Sequence, residues 1–99
     1  LKWLNLSGCY ITELPPEIGK LKNLHTLYLA DNKLEYIPKE IGNLENLRIV
    51  DLNFNKLKII PKDVWKLGNL RILSIVENPL DSEEIKKVTQ LLPACEIIK

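Results

Sequence analysis

Apolar positions along this chain recur with a period of 23 residues. Leu1, Leu24, Leu47 and Leu70 open four segments in the same register, and Leu4, Leu27, Val50 and Leu73 follow three positions later. Then come Leu6, Leu29, Leu52 and Ile75, and after them Cys9, Asn32, Asn55 and Asn78. Within Trp3-Leu4-Asn5-Leu6-Ser7 and its copies the alternation has period two, so the leucines point to one face and their neighbours to the other. Each copy predicts a short strand. Because the connection always returns the chain to the same point of the pattern, the strands are expected parallel, in one sheet lining the inner curve of a stack. Asn at the ninth position has an amide with donors and an acceptor, suited to backbone groups that a tight turn would otherwise leave buried and unpaired.

The second half of each unit repeats as well. Leu14-Pro15-Pro16-Glu17-Ile18-Gly19-Lys20-Leu21 is matched by residues 37–44 and 60–67, and the apolar spacing changes from two to four and then three. That spacing predicts one or two helical turns on the outer side, with Pro near the first turn where its missing N–H matters little. Asn23, Asn46 and Asn69 close these units and are expected to tie down the bend into the next strand. Trp65 replaces the Gly19 and Gly42 of the earlier units.

The fourth segment departs from the pattern. Asp81-Ser82-Glu83-Glu84 has the form of a capping box, with Asp81 as N-cap and Glu84 reaching back. Ile85, Val88 and Leu92 recur at helical spacing, Glu83 and Glu84 suit the positive helix start, and Pro93 ends the helix. Residues 95–98 fit a last strand. Residues 79–99 therefore read as a C-terminal helical cap following units at 1–23, 24–46, 47–69 and 70–78, all within a single domain over 1–99. At the other end Leu1 begins inside a strand, where the pattern leads us to expect upstream repeats, a partner, or self-association through an unpaired edge.

The L-x-x-L-x-L-x-x-N/C-x-L pattern quoted above resembles leucine-rich repeats. Leu-Pro-x-x-Ile-Gly-x-Leu-x-Asn-Leu at residues 14–24 and its copy at 37–47 look like the 23-residue class found in bacterial and Ras-group plant proteins. The ending Glu77-Asn78-Pro79-Leu80-Asp81-Ser82-Glu83-Glu84, followed by Leu91-Leu92-Pro93-Ala94-Cys95-Glu96-Ile97, is similar to the close of short leucine-rich-repeat proteins of pathogenic spirochaetes. The resemblance implies an α/β solenoid with a parallel sheet on the concave face and short helical or 3₁₀ turns on the convex face. It also implies a secreted or surface-exposed protein that binds host components.

On that reading the inner face can be taken column by column. The third position holds Trp3, Thr26, Ile49 and Ile72, and the fifth holds Asn5, Tyr28, Asp51 and Ser74. The seventh holds Ser7, Ala30, Asn53 and Val76, and the eighth Gly8, Asp31, Phe54 and Glu77. Three aromatics, Trp3, Tyr28 and Phe54, fall on positions that the repeat exposes, and with Ile49 they are candidates for the centre of a binding groove, since interface hot spots favour aromatic and Arg side chains. Trp3 is equally consistent with covering the open end, and Phe54 with folding into its own loop. The second position holds Lys2, His25, Arg48 and Arg71, a basic column suited to an acidic partner or else a solvated rim neutralised by Asp31, Asp51 and Glu77.

Composition narrows the functions. The formal charge of +1, from 14 basic and 13 acidic residues, gives no field to attract nucleic acid or an anionic membrane, and no apolar run approaches a membrane span. One His, two Cys and no Gly-rich phosphate loop leave little for catalysis, and no cofactor is expected. His25 with Asp31 supplies two metal ligands, too few for a site. Cys9 stands where the repeat accepts Asn or Cys and reads as a buried structural thiol, while Cys95 lies at the far end of the stack, too distant for a disulfide. The function read from these residues is a module binding a partner protein through its concave face. The alternative is a regulatory or substrate-recognition segment of a larger enzyme.

Overall fold

The computed structural model describes residues 1–99. Five parallel strands, β1 (Trp3–Asn5), β2 (Thr26–Tyr28), β3 (Ile49–Asp51), β4 (Ile72–Ser74) and β5 (Glu96–Ile98), form one sheet in chain order. The register of its first four strands is the sequence repeat itself: Trp3 pairs with Thr26, Thr26 with Ile49, and Ile49 with Ile72. The strand expected over residues 95–98 pairs Ile72 with Glu96. Each strand has three residues, yet the ladder continues on both sides. Arg48 N–H donates to the His25 carbonyl at 2.8 Å before β3, and Phe54 N–H to the Val76 carbonyl at 2.8 Å after it. Backbone bonds between units thus reach from the second to the eighth position.

The outer side carries three 3₁₀ helices, Pro16–Lys20, Lys39–Asn43 and Lys62–Lys66, each entered through an extended Pro at residues 15, 38 and 61. Between sheet and 3₁₀ layer lies a core of 22 apolar side chains, among them Leu24, Leu27, Leu47 and Leu70 at the repeated positions. Each fully buried Leu contributes about 1.5–3 kcal/mol, so the periodic leucines are the main cohesive force of the stack. Asn46 donates to the Lys22 carbonyl (3.1 Å) and Asn69 to the Glu45 carbonyl (2.9 Å), tying successive bends together. Asn23 makes no such bond.

Gly19 and Gly42 are required by the tightness of this layer. A Cβ on Gly19 would lie 2.8 Å from the Glu40 carbonyl oxygen, and one on Gly42 2.9 Å from that of Asp63. No further 3₁₀ helix follows Lys62–Lys66, so the equivalent position accommodates Trp65, half-buried against the core. The chain instead enters helix α1 (Ser82–Leu91), which buries Val88 and is followed by the buried Leu92.

Two expectations do not hold. Asp81 does cap α1, accepting from Glu84 N–H at 2.8 Å, but the Glu84 carboxylate does not reach back. It accepts from Ile60 N–H at 2.9 Å and lies 3.4 Å from Lys87, because the preceding unit leaves that N–H without a backbone acceptor and a carboxylate satisfies it across the stack. Cys9 is exposed, not buried. Its thiol donates only weakly, to the Ser7 carbonyl at 3.6 Å.

Candidate functional site

The concave face is built by residues that alternate with the buried leucines, so its columns are the sheet register. Trp3, Thr26, Ile49, Ile72 and Glu96 form one row across the strands, and Asn5, Tyr28, Asp51, Ser74 and Ile98 the next. Thr26 and Ser74 are buried and Ile49, Asp51 and Ile72 half-buried, whereas Trp3 is 73% exposed and Tyr28 37%. Trp3 is separated from Ile49 by the Thr26 strand, so Ile49 and Ile72 on adjacent strands form the continuous part of the apolar floor, with Trp3 at its β1 end. Ile72 is not among the candidates that the sequence singles out. Its column membership was visible; its half-exposed state depends on the neighbouring side chains.

At the C-terminal ends of the strands the turn is fixed by amides. Asn32 Oδ1 accepts from Cys9 N–H (3.0 Å) and Ile11 N–H (2.9 Å), while its Nδ2 donates to the carbonyls of Leu6 and Leu29. In the next units Asn55 and Asn78 each accept a single N–H, from Leu34 and Leu57, and donate to the carbonyls of Leu29 and Leu52 respectively. In the middle of the face a second network forms: Asp51 Oδ1 accepts from Asn53 N–H (3.0 Å), and Asn53 Oδ1 accepts from Ser74 Oγ–H and Val76 N–H, both at 2.7 Å. Asp51 therefore serves first to hold the β3 turn.

That turn presents Phe54. The eighth position has a left-handed backbone in every unit, φ +67° at Gly8 and +57° at Asp31, Phe54 and Glu77. Gly tolerates this freely and Asp at modest cost, but a bulky side chain is held there at about 1 kcal/mol or more. Phe54 is nevertheless 51% exposed, with its backbone fixed on both sides by the Val76 carbonyl and the Asn53 network. The alternative in which it folds into its loop is not what the structure shows.

The basic column flanks the opposite ends of the strands. Lys2, Arg48 and Arg71 are exposed and His25 half-buried. Neutralisation of this rim by Asp31, Asp51 and Glu77 was expected and does not occur. The only ion pairs are Lys66–Asp63 and Lys87–Glu84, both on other surfaces: Asp31 and Glu77 stand at the far ends of the strands, and Asp51 accepts from Asn53 N–H. Arg71 instead donates to the Gly68 and Leu70 carbonyls, each at 3.1 Å, while Arg48 has no side-chain partner. His25 and Asp31 belong to no group of three or more potential metal ligands.

Two titrating groups lie outside this face. Tyr36 donates to Glu13 Oε2 at 2.8 Å, and that bond, with the charge on Glu13, raises the phenol above its ordinary value of 10.0. Burial pushes up the Cys95 thiol, with Arg71 pulling the other way. No helix is long and apolar enough to cross a membrane.

The family model for a leucine-rich repeat region matches residues 1–92. A leucine-rich-repeat protein of Leptospira interrogans has a solved structure that superposes with a TM-score of 0.98 at 45% identity, over 100% of this chain and 25% of that one. The chain thus spans about a quarter of that spirochaete protein. The leucine-rich repeat domain of APL1B (TM-score 0.80, 22% identity, 99% of this chain and 29% of that one) and an internalin of Listeria monocytogenes (0.55, 16%, 89% and 31%) share the fold. Curated proteins give no match. A parallel sheet whose first four strands advance by 23 residues, its Asn ladder and these matches lead to one conclusion: the chain belongs to the leucine-rich-repeat family.

Proposed function

We propose that this chain is a non-catalytic recognition module that binds a partner protein, a host component in the case of a secreted spirochaete protein, through its concave face. Leucine-rich-repeat domains generally mediate protein–protein interaction. The observation that carries the reading for this chain is the exposure of Trp3, Tyr28 and Phe54 on the face that Ile49 and Ile72 floor, the same face as an Arg48 that has no partner of its own. Aromatic and Arg side chains contribute most where interfaces bind tightly, and here they stand on a backbone already locked by the ladder.

The area sets the strength. Five strands at about 4.8 Å spacing, read over seven residues, offer a face of roughly 400 Å², half the ~800 Å² per partner of a standard interface. The chain alone is therefore a weak binder. An unbiased pull-down with the full-length protein, repeated with Tyr28→Ala and Arg48→Ala together, tests the assignment. Capture is lost while the melting temperature holds; unchanged capture moves the site off this face.

A further inference from the structure

The concave face is electrically two-sided. Arg48 and Arg71 stand exposed on the rim before the strands, and Asp31 and Glu77 stand exposed on the rim after them, with Ile49 and Ile72 between. None of the four charged side chains has an ion-pair partner. Both rims are backbone-locked: Arg71 N–H donates to the Arg48 carbonyl (2.8 Å), and Asp31 N–H to the Asn53 carbonyl (2.9 Å). At β5 Glu96 stands in register with Ile72, one position inside the basic rim. Two parallel rows of opposite sign, running across the strands, call for a partner segment lying along the same direction with the signs reversed.

The spacing selects the conformation of that segment. Successive rim positions are about 4.8 Å apart, so three of them span about 9.6 Å. One flank of an α-helix presents a side chain every turn of 5.4 Å, so its third reaches about 10.8 Å, only ~1.2 Å out of step. One side of an extended chain presents a residue every ~6.7 Å, and its third is already ~3.8 Å out of step. Width agrees. Six residues separate the rims, about 20 Å, and a helix with its side chains is 10–12 Å across, which leaves ~4–5 Å on each side for charged ends to meet.

We infer that the segment bound here is an amphipathic α-helix lying across the strands, with carboxylates along the flank facing Arg48 and Arg71 and basic side chains along the flank facing Asp31 and Glu77. Its apolar ridge passes over Tyr28 and the middle row, with the side toward the basic rim against Ile49 and Ile72. This rests on the concave-face reading above and adds to it the secondary structure, direction and charge order of the partner.

The test uses a synthetic helical peptide of about 15 residues, long enough for five strands at 1.5 Å per residue, with Leu on one face, Glu along one flank and Lys along the other. Its fluorescence anisotropy is titrated with this chain at low ionic strength, beside a peptide of identical composition in scrambled order and one with Lys on both flanks. The segregated peptide binds about tenfold tighter than the scrambled one, the scale of a few exposed charge pairs acting together. Arg48→Glu with Arg71→Glu weakens the segregated peptide about tenfold and makes the doubly basic peptide the preferred one. Equal binding of segregated and scrambled peptides by the unmodified chain, or no binding of any up to about 1 mM, overturns the inference whatever the variant does. Amide shift mapping separates the two claims: shifts on β2 to β4 with equal peptide affinities leave the concave face standing without the helix, and shifts confined to the 3₁₀ side remove both.

Discussion

Asn55→Ala is the sharpest probe of what holds the stack. The amide is 7% exposed; its Oδ1 accepts from Leu34 N–H at 3.0 Å, and its Nδ2 donates to the carbonyls of Leu29 (2.9 Å), Leu52 (3.1 Å) and Asn53 (3.3 Å). These losses are unequal. Leu29 O keeps a bond from Asn32 Nδ2 and Leu52 O one from Asn78 Nδ2, so neither carbonyl is orphaned. Leu34 N–H has no other acceptor and becomes a buried unpaired donor. The orphan costs about 1–3 kcal/mol and the two shortest carbonyl bonds about 1 kcal/mol each, so the substitution removes about 3–5 kcal/mol. A domain of 99 residues has only about 5–15 kcal/mol in all.

Urea denaturation followed by far-UV circular dichroism reads this as a midpoint lowered by about 2 M, for a slope near 1.5–2 kcal/mol per molar. Asn55→Asp checks the mechanism at constant volume. It retains the acceptor for Leu34 N–H but turns an oxygen toward the Leu29 and Leu52 carbonyls, so it is expected to destabilise at least as much as alanine. Asn46→Ala, which removes a single exposed bond to Lys22 O, lowers stability by under ~1 kcal/mol. A loss below about 1 kcal/mol for Asn55→Ala, or a tolerated Asp, would refute the account of the ladder as the keystone of the turns.

Gly42→Ala forces a Cβ to within 2.9 Å of the Asp63 carbonyl and is expected to lower the melting temperature by about 4–8 °C per kcal/mol of strain, whereas Gly68→Ala, with nothing within 4 Å, leaves it unchanged. Phe54→Gly releases the left-handed backbone at φ +57° and raises stability by about 0.5–1 kcal/mol, while lowering affinity for any concave-face partner; a fall in stability would mean that the ring packs as core. The Tyr36 phenol, followed by its absorbance near 295 nm, titrates above 10.0, and Glu13→Gln moves the midpoint back down. Because the folded value is raised, the Tyr36 contribution is present below the unfolded value and is lost as pH rises through the folded one.

Much of this fold is legible because the repeat makes each structural demand locally and several times over. Leu4, Leu27, Val50 and Leu73 announce one buried row, and the ninth-position Asn residues announce the ladder, each by residue type at a fixed place. What stayed hidden involves groups from different units. The destination of Glu84 was set by a bare Ile60 N–H 24 residues earlier, and the helix-cap motif pointed to the wrong donor. Trp65 in place of glycine is explained only when the tight contact of Gly42 with Asp63 is seen to have no successor. Rim neutralisation failed because columns two and eight lie at opposite ends of three-residue strands, so charges close in sequence are apart in space. The left-handed eighth position was half visible, since Gly8 and Asp31 suit it and Phe54 and Glu77 conceal it.

That concealment bears on function. Positions four, six and nine hardly vary among the units because core and ladder dictate them. Position three reads Trp, Thr, Ile, Ile; position five reads Asn, Tyr, Asp, Ser; and position eight reads Gly, Asp, Phe, Glu. Asn5, Asp51 and Ser74 serve their turns, and the differences at positions three and eight answer to no such demand. At Phe54 the residue runs against the backbone, which favours Gly or Asp, and the ring gains little burial in return. On the concave-face proposal such an exposed, rigidly presented aromatic is a contact offered to the partner, and Phe54 stands on the acidic rim between Asp31 and Glu77. A partner's basic flank passing along that rim would meet a carboxylate, an aromatic face and a second carboxylate in succession, a row that favours cations at every step. If Phe54→Leu, which keeps the strain and the apolar bulk, binds a basic-flanked helix as well as the natural residue does, the ring is a hydrophobic contact only; a several-fold loss identifies the π face as the element recognised.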